Sequence, residues 1–385
     1  MALLILGIIL FIGLVIVHEL GHFIVARRNG VVAEEFGIFF PPTLWRKKMK
    51  GGWDFTINAL PLGGFVKLKG EHDADTEPGS FGAASSRVKT KIMLAGVFMN
   101  LITAVLLLMI LALIGMPKML ENQFTVSGDT KTVRQQIMAG YIEPGSPAAQ
   151  AGLQERDELV RIKSGATHIA LSNARALPEA TKQFAGQTVQ IDYKRNGAAA
   201  TATTTLLSRD EVAASRKTNK PKGHLGIQPV ELTLRRSTWS APVVAVGLTA
   251  QFTYMTFQGL GNALAGLGGI IAGWVSGNDT ARSNAQAQTD TVSGPVGIFV
   301  ILKSSSSFGF QYMLFVIAII SLTLAIMNIL PIPALDGGRF FIMALSRILK
   351  RPISPKAEEA IVGTSFMLLI GLIILITVVD VKRFF

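Results

Sequence analysis

Apolar residues are not spread evenly along this chain. They gather in long blocks separated by polar stretches. A membrane-spanning helix needs about 20 consecutive apolar residues, and four blocks reach that length. The first runs from Ala2 to Ala26, interrupted only by His18, Glu19 and His22; the others are 92–116, 308–330 and 361–379. A fifth stretch, 237–278, carries no charge but is rich in Gly, Ala, Ser and Thr. Its pattern allows either a span or an amphipathic helix at the membrane surface. The polar region 117–236 reads differently. Val189–Tyr193 alternates apolar and polar residues, as a half-buried strand does, and Asn196-Gly197 follows as a turn. Tyr141–Leu153 reads as a strand, a turn and a short helix closed by Gly152, and Asp157–Ile162 as another strand.

Composition agrees with a membrane protein. Hydrophobic residues make up 49% of the 385 and charged residues 16%, where a soluble chain carries about 25% charged. A disordered chain and an ordinary soluble enzyme are both excluded. The net charge of +12 would suggest nucleic acid in a soluble protein. Here the basic residues cluster at Arg27 and Arg28, at Arg46, Lys47, Lys48 and Lys50, at Arg87, Lys89 and Lys91, and at Arg339, Arg347, Lys350 and Arg351. With four spans all of these fall on one side, which the positive-inside rule makes cytoplasmic. The excess is then topology, and no nucleic-acid partner is expected. The C-terminal Lys382 and Arg383 fall on the outer side, a minor violation of the rule. The first block does not read as a cleaved signal: it lacks a basic start, its apolar run is too long, and no small-residue cleavage site follows.

The chain has no cysteine, so any metal is held by His, Asp or Glu. The first span contains His18-Glu19-Leu20-Gly21-His22. Histidines at i and i+4 share a helical face and can reach one zinc, and the glutamate beside the first can act as base. Ionisable groups inside a span are costly and rarely present without a function. The alternative is a polar cluster bonding neighbouring helices. Catalytic zinc usually takes three protein ligands. His72, His168 and His224 all lie in polar regions, which leaves Asp336, in Asn328-Ile-Leu-Pro-Ile-Pro-Ala-Leu-Asp-Gly-Gly338. Two prolines end the third span here and free backbone groups that cannot face lipid. On spacing alone, Asp336 is equally a third ligand or the N-cap of a helix starting near Gly337.

HELGH in the first span with NILPIPALDGG after a later one resembles the site-2 protease family of intramembrane zinc metalloproteases, of the bacterial regulator-of-sigma-E type. Gly96-Val-Phe-Met-Asn100 resembles that family's GxxxN motif, Glu35–Phe39 and Pro61–Lys67 its membrane-associated β-region, and Ser293–Ile298 a segment before the third span. Within 117–236, the PGSPA turn, AGL and following acid resemble the PDZ domains of bacterial membrane and periplasmic proteases, which often write Gly-Asp where this chain has Arg156-Asp157. The relatives that regulate sigma factors often carry two PDZ domains, and this chain has room for one.

The resemblance implies a polytopic α-helical membrane protein with four transmembrane helices, a membrane-associated β-region and one extracytoplasmic PDZ-like α+β domain. Its parts would be 1–116 (β-region about 31–70), 117–236 (PDZ-like about 138–230), 237–307, and 308–385 with the LDGG motif at 335–338. His18, His22 and Asp336 would hold zinc, Glu19 would be the base, and Asn328, Pro331 and Pro333 would hold substrate. Substrates would be single-span membrane proteins, such as an anti-sigma factor or a remnant signal peptide, in the bacterial inner membrane, with the active site toward the cytoplasm. If 237–278 crossed the bilayer, Asp336 would emerge away from Arg27 and Arg28, so that segment is expected to be interfacial or re-entrant. Two other classes remain: a non-catalytic PDZ scaffold, and a zinc enzyme of the prenyl-protein-trimming kind with Glu358 or Glu359 as third ligand.

Overall fold

A computed structural model describes residues 2–70, 75–216, 221–276, 294–350 and 353–384. His72 and Ser293 lie outside these, as do residues 277–293 of the expected interfacial segment and Arg351. The chain divides into two compact units, Met1–Ile114 with Ser240–Phe385, and Gly115–Trp239.

The first unit is mainly helical. Helix α1 (Ala2–Arg28) ends on Arg27 and Arg28, cations that suit the negative end of its dipole. Strands β1 (Ala33–Lys48) and β2 (Asp54–Leu68) follow as a hairpin of unusual form. β1 bends near Phe39, whose φ is 67°. Its halves therefore pair separately: Phe36 meets Val66 on one side and Phe55 on the other, while Trp45 meets Ile57. The result is a small sheet ordered 43–48, 54–58, 33–38, 64–68. Phe23 of α1 packs edge-on against Phe36 (5.5 Å) and Trp53 (4.6 Å), so the sheet is docked on the helix.

The second apolar block is not one helix. It divides at Leu94 into α2 (Ser86–Met93) and α3 (Ala95–Ile114). Helix α7 (Ala241–Ser276) runs unbroken for 36 residues. Its Phe252 packs beside Ala104, Leu322 and Ile326, so its early turns lie along the helices that carry those residues. Then come α8 (Pro295–Phe308), α9 (Phe310–Ile329), α10 (Asp336–Ile348) and α11 (Pro355–Phe384). The buried Asp380 of α11 accepts from the Gly294 and Gly297 amides at 2.9 and 2.8 Å, satisfying free donors at the start of α8. Among the described residues, four helices are long and apolar enough to cross a membrane: α1, α3, α9 and all but the first residue of α11.

The second unit is a seven-stranded antiparallel sheet with short helices. It comprises β3 (Met116–Pro117), β4 (Lys131–Ile142), α4 (Pro147–Gln150), β5 (Glu158–Ser164), β6 (Thr167–Ala170), α5 (Ala176–Gln183), β7 (Thr188–Arg195), β8 (Ala198–Thr205), α6 (Arg209–Ser215) and β9 (Ile227–Arg236). The strand order is β3-β9-β4-β5-β7-β8, with β6 on β5. Alternation in β7 turns Val189, Ile191 and Tyr193 inward onto Ile137, Leu159, Ile162 and Leu177. Asn196 and Gly197 both take positive φ, which joins β7 to β8 by the two-residue turn that matches strand twist. Asp157, 1% exposed, is held by Arg195 through two bonds of 2.8 Å.

Candidate metal centre

Three side chains remote in sequence meet in the first unit. His18 and His22 stand one turn apart on α1. Asp336 opens α10, after the chain leaves α9 through Pro331 and Pro333. The Asp336 Oδ2 lies 3.1 Å from His18 Nε2 and 3.2 Å from His22 Nε2, and the two Nε2 atoms are 3.3 Å apart. Asp336 does not act as an N-cap; the residue at that position is Leu335, and no side chain caps the helix. Of the two readings that spacing allowed, the structure has the carboxylate facing the imidazoles.

The contacts leave a place for a cation. His22 Nδ1 lies 2.8 Å from the Ile92 carbonyl, which can only accept, so Nδ1 carries the hydrogen. In the neutral ring, Nε2 then presents a lone pair to Asp336 Oδ2, an oxygen with no hydrogen-bond donor. Two acceptors at contact distance need something positive between them, and His18 Nε2 points to the same place. Tetrahedral zinc with ligands at about 2.0–2.1 Å sets its donor atoms about 3.3–3.4 Å apart. The observed edges of 3.1, 3.2 and 3.3 Å fit that triangle.

Close helix contact makes this geometry possible. A Cβ on Gly21 would stand 2.7 Å from the Ala95 carbonyl oxygen, and one on Gly96 would stand 2.4 Å from His22 Nε2. Only glycine lets α3 pass this close over the rings. Beside Asp336, a Cβ on Gly337 would run into the Ile329 carbonyl oxygen, and one on Gly338 into that of Ile332. The loop after α9 folds back tightly on the start of α10, and Ser365 of α11 accepts from the Ala334 amide at 3.2 Å.

A cavity of about 170 Å³ opens beside the triad. It is lined by Glu19, His22, Phe65, Val66, Leu68, Asp336 and Arg339, among others. Glu19 lies against the strand 64–68: a Cβ on Gly64 would stand 3.2 Å from its Cγ. The Arg339 guanidinium lies 5.9 Å from the centre of the Phe81 ring, which lines the same cavity. Asn328, on the last turn of α9, and Pro331 and Pro333 are not among the lining residues. Sequence reasoning missed Arg339, one helical turn beyond Asp336, and the carbonyl of Ile92; no local pattern marks a backbone acceptor. His168 and His224 belong to the second unit and take no part.

Two histidines on a helix apolar enough for a bilayer, met by an aspartate and flanked by a glutamate, are the donor set of a membrane metallopeptidase. The chain belongs to peptidase family M50, whose model matches residues 6–372. A Clostridium perfringens protein provisionally named a zinc metalloprotease is 29% identical over 376 residues, covering 97% of each chain. A Clostridium acetobutylicum protein of like name is 29% identical over 381 residues, covering 98% of this chain and 96% of its own. The zinc metalloprotease RasP of Shouchella clausii is 25% identical over 458 residues, covering 98% of each. These matches bear out the resemblance drawn from the HELGH and LDGG motifs.

Proposed function

We propose that this protein is an intramembrane zinc metalloprotease that cleaves single-span membrane proteins within or near the bilayer. The convergence of His18, His22 and Asp336 to edges of 3.1–3.3 Å carries the reading. These three hold the zinc. When bound, zinc supplies Lewis acidity toward a peptide carbonyl and makes water acidic enough to be a nucleophile near neutral pH. Glu19, which lines the cavity, would take a proton at its carboxylate from the attacking water and pass it to the leaving amine. Arg339, beside the Phe81 ring, keeps a positive charge at the cavity.

A substrate helix buries its amides in its own hydrogen bonds and must unwind first. The strand 64–68 is an outer strand of the small sheet, and Phe65, Val66 and Leu68 line the cavity. An unwound stretch of substrate adds to the 36–69 hairpin by backbone pairing. Asn328, Pro331 and Pro333, at the mouth of the broken span, hold the rest of it. The 115–239 unit is an extracytoplasmic PDZ-like module that binds or size-filters substrate. The basic residues after α1 put the metal centre toward the cytoplasm, and the 237–307 segment is interfacial or re-entrant. A cysteine at Ser276 that labels only from the cytoplasm would contradict this threading.

Incubation with a single-span reporter in detergent, with and without a zinc chelator, tests the activity. Glu19→Gln keeps zinc and loses cleavage by roughly 10²–10⁴-fold, the usual range for a general base; His22→Ala loses both. Cleavage by Glu19→Gln at the native rate would remove the assigned base.

A further inference from the structure

His22 and His18 stand in different company on the side away from Asp336. The Nδ1 of His22 meets a carbonyl, that of Ile92, at 2.8 Å. The Nδ1 of His18 meets an amide side chain, that of Asn100, with the amide nitrogen 3.3 Å away. Asn100 is 1% exposed, and its Oδ1 is buried without a hydrogen-bond partner. Its backbone is fixed as well, because Ser321 of α9 donates to the Asn100 carbonyl at 2.8 Å.

A neutral imidazole carries one hydrogen, on either nitrogen. If the Asn100 nitrogen donates to His18 Nδ1, that hydrogen must sit on Nε2, and Nε2 has no lone pair for a metal. A half-turn of the amide reverses this. Oδ1 then accepts from Nδ1–H, the unpaired oxygen gains a donor, and Nε2 is free to ligate. Metal binding selects the second arrangement.

We propose that Asn100 is a positioning residue for the metal: its side-chain oxygen accepts the His18 Nδ1 hydrogen and fixes the ring as an Nε2 ligand. This inference rests on the zinc reading above. Ile92 does the same for His22 with its backbone, so one short stretch of chain, 92–100, sets the tautomer of both rings. Partners of this kind are worth about 10–100-fold in metal affinity.

The test compares zinc affinity of the full chain by competition with a graded series of chelators, alongside the visible spectrum of the cobalt-substituted protein. Asn100→Leu keeps the branched shape of the side chain and removes the acceptor; it is expected to lower zinc affinity by about 10–100-fold and to alter the cobalt spectrum. Asn100→Asp keeps an acceptor and is expected to hold zinc at least as well as the native chain. Native affinity in Asn100→Leu would overturn the proposal. Equal losses in Asn100→Leu and Asn100→Asp would also overturn it, because the residue would then act through packing alone. A native chain that binds no zinc would sink the metalloprotease reading itself, and this inference with it.

Discussion

Gly96→Ala adds one methyl group at the tightest point of the metal centre. The new Cβ would lie 2.4 Å from His22 Nε2, 2.5 Å from His18 Cε1 and 2.7 Å from His18 Nδ1. Non-bonded heavy atoms settle at about 3.5 Å, so the rings or α3 must give by about 1 Å. Metal sites tolerate about 0.2 Å in ligand distance. The rings cannot retreat alone, since His22 is tied to the Ile92 carbonyl and α1 already touches α3 at Gly21. Overpacking of this kind costs about 1–3 kcal/mol in stability, which leaves a folded protein to measure. Zinc affinity is expected to fall by at least roughly 100-fold, the upper end of what the loss of a ligand's orienting partner costs. The control is Gly13→Ala on α1, the helix that carries both rings, where a Cβ meets nothing within 4 Å. Zinc per chain by atomic absorption, chelator competition and thermal melts by circular dichroism are measured on both. A Gly96→Ala protein that keeps one zinc at native affinity would refute the close-approach argument.

Three further expectations concern the 115–239 unit. Arg156 takes φ 75°, a region that favours glycine, so Arg156→Gly is expected to stabilise the unit by about 0.5–1 kcal/mol, read from denaturant melts. Asp157 is 1% exposed, is bonded twice by Arg195 and accepts the Gln154 amide at 2.8 Å; Asp157→Ala should cost about 1 kcal/mol, read from the same melts, because that amide loses its acceptor. Burial raises the Glu231 carboxyl, but bonds from the Ala174 amide, Thr233 and Gln135 outweigh it and hold it below its ordinary value. A carboxyl depressed in the folded state adds stability above its unfolded pKa, and that stability is lost as pH falls through the folded value. Glu231→Gln is therefore expected to destabilise by about 1 kcal/mol at pH 7, with the difference shrinking below about pH 4. A difference independent of pH would refute the assignment.

Much of this protein was legible in one dimension. An apolar run of 20 residues has few options in a bilayer, so the four spans and the basic clusters between them could be read directly. Helical geometry puts His18 and His22 on one face whatever surrounds them, and strand alternation marked Val189, Ile191 and Tyr193 as inward. These are local properties, repeated every turn or every second residue. Asp336 was a different matter. Spacing left Asp336 divided between ligand and cap, and only the fold brought its carboxylate to 3.1 Å of a ring 318 positions earlier. The break at Leu94, the double pairing of β1, the Ile92 carbonyl and the Asn100 amide were equally invisible. Each depends on how closely two separate elements approach and which atom one turns to the other. The sequence by itself determined which residues could do chemistry; tertiary packing, through glycines that let backbones touch, decided which of them meet.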